Sequence, residues 1–237
     1  MILKRIGDAL RARDWTASAI EFVIVVVGVF VAIQAGNWNQ ERNDRQLEQA
    51  YISRLVEETK ASIEIIEQFE RIYAAKNRFI LALRDSSLEE FVELYPVGFM
   101  EHLDYSSYKA LPAMRWETYR ELESSGRLLL LRDTGLRSAL AGSVADYAEI
   151  QKVLLEPIGE YRRLLFETVP SRSYYEWVST KTTNAAPVRA SLEAFRNDPR
   201  FEAAANAEVS FGADTLFWLR DHRQKLEHIL SLLQAAE

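Results

Sequence analysis

Cysteine is absent from this chain of 237 residues, and histidine occurs only three times. Without cysteine the protein has no disulfide, no iron–sulfur cluster, no thiolate metal site and no thiol nucleophile. The chain also contains only 9 glycines and 6 prolines. Because so few residues favour turns, the composition argues against many short strands and predicts long helices.

An excess of positive charge is missing as well. The 35 Asp and Glu residues outnumber the 29 Lys and Arg residues, which gives a net charge of −6. We see no basic face that could neutralise phosphates, so we expect no nucleic-acid partner. Hydrophobic residues make up 48% and charged residues 27%, a balance typical of a chain that folds around a core.

Recognisable catalytic and cofactor motifs are not found. The sequence has no glycine-rich phosphate loop, no Gly-x-Ser-x-Gly elbow and no Glu-x-x-His or His-x-x-x-His pair. His222 and His228 are six residues apart, which places them about 120° from each other around one helix, so they cannot share a metal from one face. His102 stands alone among acidic neighbours. We therefore expect surface or capping histidines, no metal, no cofactor, no catalytic residue and no enzymatic activity.

The most prominent feature that is present is an apolar run near the start of the chain. Residues 22–33 include no polar side chain, and the run extends over 17–35 with only Ser18, Glu21 and Gln34 interrupting it. This length suits the ~20 residues that a helix needs to cross a bilayer. The alternative is that this run forms a buried core helix. The charged residues and tryptophans that flank it favour the membrane-spanning helix over this alternative.

Two tryptophans bracket the run. On a helix with a rise of ~1.5 Å per residue, Trp15 and Trp38 lie about 34 Å apart, and indole rings favour the headgroup level of a bilayer. We predict a single transmembrane helix over residues 15–38, with both tryptophans as interfacial anchors and membrane lipid as a partner. A signal peptide that is cleaved has small residues at positions −3 and −1 relative to the cleavage site. Residues 33–36 match this pattern poorly, so we expect an uncleaved anchor.

The distribution of basic residues predicts the orientation. Four basic residues lie within positions 1–14, whereas only Arg42 and Arg45 lie in the comparable stretch after the run. The positive-inside rule then places the N-terminus in the cytoplasm and the larger part in the periplasm, at a bacterial inner membrane. Residues 1–14 are expected to form a cytoplasmic amphipathic segment along the inner leaflet, or else a frayed tail whose charges only set the topology.

A row of small residues on the predicted transmembrane helix suggests a packing surface. Gly28, Ala32 and Gly36 recur every four residues, a pattern that lets membrane helices approach closely. Glu21, seven residues before Gly28, belongs to the same face, and a carboxyl group is costly in lipid. We predict that this surface, the small-residue stripe, packs against another span and gives a homo-oligomer or a complex with another membrane protein. Alternatively, Glu21 lies at the interface and reaches water.

The sequence after the predicted transmembrane helix indicates an all-α fold. Residues 39–85 contain no glycine or proline, and their apolar residues recur at three- and four-residue steps, which indicates one long helix that continues the transmembrane helix. Residues 86–237 are then the rest of an extramembrane bundle of four or five helices. The pair Ser86-Ser87 is expected to end the long helix.

Turn signals predict the further helices of this bundle. A second helix is predicted over 112–126, with a glycine C-cap. A third begins at a cap at 133–134 and continues, kinked at its proline, to 168. A short helix over 188–196 follows, and a last one runs from 198 to the C-terminus, with an interruption at Gly212 left open.

Aromatic residues cluster in the irregular segments, and most are expected to be core. The exception is the stretch "SRSYYEWVS", which we predict to be an exposed loop. Its Tyr174, Tyr175 and Trp177 resemble a contact patch for a partner or a small ligand.

Two stretches carry a resemblance to known proteins. "GVFVAIQAGNWNQERNDRQ" at 28–46 and "TYRELESSGRLLLLRDTGLRSAL" at 118–140 are similar to an uncharacterised bacterial family of single-span membrane-anchored helical proteins. Its members carry an apolar anchor followed by an NWNxER-type motif. The resemblance covers most of the chain and implies membrane attachment, but it implies no reaction.

These observations favour a membrane-anchored scaffold or assembly protein that self-associates through its transmembrane helix. The alternatives are a periplasmic helical-bundle sensor that binds a ligand, an accessory subunit of a larger membrane complex, and an enzyme whose site leaves no motif.

Overall fold

Every regular element in the described part of the chain is helical, which confirms the predicted all-α class. The computed structural model describes residues 15–95, 106–107, 109–154, 159–169 and 186–236. The helices in these ranges are α1 (Trp15–Asp85), α2 (Leu88–Leu94), α3 (Glu117–Ser124), a 3-10 turn (Leu128–Leu130), α4 (Thr134–Leu154), α5 (Glu160–Thr168), α6 (Ala186–Asn197) and α7 (Phe201–Ala236).

The backbone forms two compact units, Met1–Tyr51 and Ile52–Glu237. We call the second of these the head unit. Helix α1 runs through both, and its 71 residues form one continuous helix, as the unbroken apolar periodicity predicts. In the first unit the described side chains of this helix are mostly exposed.

The core of the head unit consists of aromatic and aliphatic side chains from five helices. Burying one such side chain contributes roughly 1.5–3 kcal/mol, so this cluster is the main source of the unit's stability. The cluster contains Phe79, Ile80, Leu83, Phe91, Tyr161, Leu164, Leu165, Val169, Leu192, Phe195, Phe201, Ala204 and Ala205.

The break between α1 and α2 has a defined cause. The Ser87 hydroxyl accepts a hydrogen bond from the Glu90 amide at 3.2 Å, and the Glu90 carboxylate accepts one from the Ser87 amide at 2.9 Å. This reciprocal capping box satisfies two amides that a helix N-terminus leaves without partners. The predicted end of the long helix at Ser86-Ser87 is therefore confirmed.

The predicted second helix begins later than expected. Helix α3 starts at Glu117, and residues 112–116 are not helical, because side chains of α1 take the backbone donors there. The Arg115 amide donates to Ser62 Oγ at 3.1 Å, and the Thr118 amide donates to the Glu58 carboxylate at 3.1 Å. These bonds across the head unit replace the helical bonds that the sequence pattern suggested.

The glycine C-cap after α3 is confirmed. Gly126 has a φ of 69°, a left-handed conformation that favours glycine. Its amide donates to the Glu123 carbonyl at 3.1 Å, and the next amide, of Arg127, donates to the Leu122 carbonyl at 2.8 Å. This pair of bonds is the Schellman motif, which ends the helix.

The single kinked helix predicted over 134–168 is wrong, since two helices occupy this range. Helix α4 is capped by Asp133, whose Oδ1 accepts from the Gly135 amide at 2.7 Å, and it ends at Leu154. Gly159 is extended, with φ −64° and ψ 160°, and α5 begins directly after it. This extended backbone at Gly159 cannot belong to a helix, so α4 and α5 are separate helices.

The last helix continues without interruption through Gly212. Helix α1 approaches α7 so closely here that a Cβ atom at position 212 would lie 2.1 Å from Asn77 Oδ1. The Asn77 side chain also donates to the Val209 carbonyl at 3.2 Å. Gly212 thus permits a close approach of two helices and does not mark a break.

Candidate functional site: an apolar helix and a buried ionic centre

Residues 22–33 of α1 expose a continuous apolar surface. Phe22 is 68% exposed, Ile24 64% and Phe30 60%. The 18-residue window of α1 that scores as a candidate membrane span has a mean hydropathy of 1.7, and none of it is buried inside the protein. Within the described part of the chain, α1 is the one helix that is long and apolar enough to cross a membrane. Such a helix serves either as a membrane anchor or as a signal sequence.

The small-residue stripe is open along the described part of this helix. Gly28, Ala32 and Gly36 are exposed, and a Cβ atom at Gly28 or Gly36 would meet nothing within 4 Å. The backbone of Glu21 also belongs to α1, but its side chain lies outside the described part. The stripe is accessible to a neighbouring helix, and its packing stays a prediction.

Of the two tryptophans predicted to anchor the helix, Trp38 is 69% exposed. Trp15 begins α1, and its side chain lies outside the described part. Residues 1–14 and the predicted contact patch of Tyr174, Tyr175 and Trp177 also lie outside the described residues.

A buried ionic centre lies in the head unit. Lys76 Nζ of α1 is 2.5 Å from Glu208 Oε1 of α7, and the two side chains are 1% and 3% exposed. Lys109, which precedes α3, places its Nζ 3.6 Å from Glu208 Oε2. We call these three residues the ionic centre. A carboxylate between two lysines at this depth is compensated by charge pairing, without which burial would be very costly.

The electrostatics of the ionic centre are set by burial. Burial lowers the pKa of Lys76 below its usual value, the Glu208 carboxylate opposes this shift, and the charge of Lys109 adds to it. Both ammonium groups also lie over aromatic rings. Lys76 Nζ is 5.3 Å from the centroid of Tyr73, and Lys109 Nζ is 4.2 Å from that of Phe211. Ring faces attract cations and stabilise them in a dry environment.

Hydroxyl groups tie the segment before α3 to the helices around the ionic centre. Tyr161 Oη of α5 is 3.0 Å from Ser106 Oγ, and burial raises the pKa of the Tyr161 phenol. Tyr73 Oη of α1 donates to the Ala110 carbonyl at 2.8 Å. Gly159 leaves room for the lysine, since a Cβ atom there would lie 3.0 Å from Lys109 Nζ. The ionic centre and these bonds therefore link α1, α5 and α7 with Ser106, Lys109 and Ala110.

His222 of α7 is fully buried, so the expectation that the histidines lie at the surface or in caps is wrong for this residue. Its ring packs 4.9 Å from Tyr147 and 6.2 Å from Trp116. Neither ring nitrogen has a hydrogen-bond partner among the described residues, and burial lowers the pKa of His222 to about 4. The imidazole is therefore neutral. His228 is exposed, as expected.

A groove of about 390 Å³ lies between α4 and α7. Its α4 wall includes the small residues Gly142 and Ser143, and the buried Ser143 hydroxyl has no hydrogen-bond partner in the described part. On the α7 side Lys225 Nζ contacts Asp146 and Asp221, each at 2.9 Å. The groove has the size of a small-molecule site.

The sequence carries a signal for these buried polar residues, although no catalytic or metal-binding motif contains them. Lys76 lies on the apolar stripe of α1, three residues after the buried Tyr73 and four before the buried Ile80. Glu208 and His222 likewise occupy core positions of α7. A polar residue at a core position of an amphipathic helix indicates a buried partner.

Known proteins give no further guide to this arrangement. No protein-family model, no curated protein and no solved structure matches the chain. The resemblance to the bacterial single-span family therefore stays a prediction. Within the part of the chain that the structure describes, no group of three or more His, Asp or Glu side chains could hold a metal ion.

Proposed function

We propose that the protein is a membrane-anchored helical scaffold or assembly protein of the bacterial inner membrane. The observation that carries the proposal is the exposed apolar surface of α1, of which nothing is buried inside the protein. Each such side chain left in water costs roughly 1.5–3 kcal/mol compared with burial, so a bilayer is the environment that suits a dozen of them.

Self-association through the small-residue stripe is the second part of the proposal. The open space at Gly28 and Gly36 supports it, since two helices that lack side chains at these positions approach to backbone contact. Glu21 would lie in the same interface, where a protonated carboxyl or a hydrogen bond avoids the cost of an isolated charge in lipid.

The absence of cysteine allows a clean test of anchoring and orientation. We place one cysteine at position 3 or at the exposed position 231 and treat spheroplasts with a membrane-impermeant maleimide. The proposal expects labelling of Ser231→Cys in intact spheroplasts and labelling of Leu3→Cys only after lysis. The reverse pattern would contradict the orientation, and release of the protein by alkaline carbonate would contradict the anchor.

The groove between α4 and α7 favours a ligand-binding sensor as the second candidate function. A volume of about 390 Å³ beside the unpaired Ser143 hydroxyl suits a small molecule with a polar group. Native mass spectrometry of protein released from nanodiscs distinguishes the sensor from the scaffold. A bound small molecule in the wild type that is lost in Ser143→Leu would favour the sensor, and an unliganded mass in both would favour the scaffold.

A further inference from the structure

A second cavity adjoins the groove between α4 and α7. It has a volume of about 250 Å³, and Asp146 of α4 and Lys225 of α7 line both the groove and this cavity. Its other walls include Ile150, Val153 and Trp218, so we call it the aromatic cavity. Apolar walls with a few polar groups are typical of sites that bind small organic molecules.

Helical spacing brings the groove and the aromatic cavity onto one surface of the head unit. Asp146, Ile150 and Val153 follow each other at steps of four and three residues, which places them on one face of α4. Trp218 and Lys225 are seven residues apart and share a face of α7 in the same way. We call this continuous surface the seam, and the Asp146 carboxylate lies where its two cavities meet.

The aromatic cavity combines a fixed base with open walls. Ile150 is only 7% exposed and belongs to a core cluster with Tyr147 and Leu154. Val153 is 64% exposed and Trp218 is 39% exposed. An apolar group bound between them removes this surface from water, and a tryptophan ring also attracts aromatic groups and cations.

The charges along the seam favour a cation over an anion. Lys225 Nζ contacts Asp146 and Asp221, each at 2.9 Å, so that one ammonium group serves two carboxylates. Glu149, which lines the aromatic cavity, pairs with Lys152 at 2.6 Å. Three carboxylates against two lysines leave one negative charge uncompensated, and a bound anion would meet this excess.

A buried hydroxyl in the groove indicates a missing hydrogen-bond partner. Ser143 is 3% exposed, lines the groove one helical turn before Asp146, and its hydroxyl has no partner among the described residues. Buried polar groups are nearly always hydrogen-bonded, so an unpaired hydroxyl at the wall of a groove points to a bound group as its partner. An ammonium group has three donors, enough for both a carboxylate and a hydroxyl.

We propose that the seam binds a small organic amine that carries an aromatic group. The ammonium group pairs with the Asp146 carboxylate and donates to Ser143 Oγ, while the aromatic group packs against Trp218 and Ile150 in the aromatic cavity. Lys225 retains its contact with Asp221. The proposal names the ligand class of the sensor, the second candidate function above, on which it rests, and it does not depend on the membrane anchor.

Equilibrium dialysis of the full-length protein in phosphatidylcholine nanodiscs tests this proposal. The probe is phenethylammonium, and the matched anion is phenylpropanoate, which has a similar size and shape. Empty nanodiscs measure the uptake of each probe by lipid alone. We expect saturable binding of the amine to the protein, at least tenfold tighter than binding of the anion.

Two variants and two controls assign the binding to the seam. Asp146→Asn and Trp218→Leu should each weaken amine binding by roughly fivefold or more, whereas Asp146→Glu should retain it. Glu227→Gln is the control for the carboxylate, because Glu227 is also an exposed partner of a basic residue on α7, Arg223. Phe217→Leu is the control for the aromatic ring, because Phe217 is 65% exposed but lines neither cavity. Both controls should bind as the wild type does.

The outcomes separate this proposal from the sensor candidate. Equal binding of the two probes, or unchanged amine binding in Asp146→Asn and Trp218→Leu, overturns the proposal. If the anion binds and Ser143→Leu abolishes this binding, the amine proposal fails while the sensor stands. If neither probe binds above empty nanodiscs, the proposal also fails, and the native mass measurement then decides separately whether the groove holds another ligand.

Discussion

At the scale of single residues, the head unit depends on polar side chains at core positions. Lys76, Glu208 and His222 are each at most 3% exposed, on helix faces that otherwise carry apolar side chains. The lysine and the glutamate compensate each other, whereas the histidine avoids the cost of a buried charge by staying neutral. These residues therefore respond differently to mutation and to pH.

Breaking the ionic centre should be more damaging than removing it. Lys76→Met or Glu208→Gln alone leaves a buried charge without its closest partner, and we expect each to lower the free energy of unfolding by about 3–5 kcal/mol. The triple variant Lys76→Met/Lys109→Met/Glu208→Leu, which removes all three charges, should recover most of this loss. Denaturant unfolding in detergent, followed by tryptophan fluorescence, measures all three. Single variants within 1 kcal/mol of the wild type would contradict the account.

Acid should destabilise the head unit through His222. Its pKa is about 4 in the folded protein, below the usual 6.5, so the unfolded chain takes up the proton first. The contribution of the neutral His222 to the free energy of unfolding is therefore complete above pH 6.5. It is lost as the pH falls towards 4, and the total loss is about 3 kcal/mol. His222→Phe should flatten the pH dependence of stability in this window.

The exposed His228 provides the matched control for this pH dependence. His228→Gln should leave the slope of unfolding free energy against pH as in the wild type. Equal slopes in the wild type and His222→Phe between pH 4 and 6.5 would show that His222 does not carry the effect. The charged groups nearest the ring, Lys225, Asp146 and Asp221, stay in place in both variants.

At the scale of elements, the head unit depends on the close approach of α1 and α7. Gly212 lies against Asn77, and the bond from Asn77 to the Val209 carbonyl forms beside it. A side chain at 212 must displace the amide group and break this bond. Helix–helix distance here is set by one glycine.

Gly212→Ala should therefore destabilise the protein by about 1–3 kcal/mol, as overpacking of a tight contact does. Gly142→Ala in α4 is the control, because a Cβ atom there meets nothing within 4 Å. Alanine in a helix interior is more favourable than glycine by roughly 0.5–1 kcal/mol, so the control should be neutral or stabilising. Thermal unfolding measures both, and a Gly212→Ala variant as stable as Gly142→Ala would rule out the tight contact.

Helix boundaries that depend on local chemistry could be predicted from the sequence. The long α1, its end at Ser86-Ser87, the cap at Asp133 and the glycine C-cap at Gly126 all follow from neighbouring residues. The late start of α3 could not, because Ser62 and Glu58 of α1 take its first donors. The ionic centre could not be predicted for the same reason, since Lys76 and Glu208 are far apart in sequence and meet only in the folded chain.

At the scale of the whole molecule, an exposed apolar helix and a folded helical unit share one chain. The apolar stretch of α1 has no partner surface among the described residues, whereas the head unit buries its own core. This division of roles is the basis for the proposed anchor. The small-residue stripe then decides whether the anchored chain acts alone or as an assembly.

The mass of the full-length protein in nanodiscs is the most direct test of that central claim. We would compare the wild type with Gly28→Leu and with Val26→Leu, which places a leucine on about the opposite side of the helix. The account predicts a defined oligomer for the wild type and Val26→Leu, and a monomer for Gly28→Leu. A monomeric wild type, or a Gly28→Leu variant of unchanged mass, would contradict self-association through the stripe.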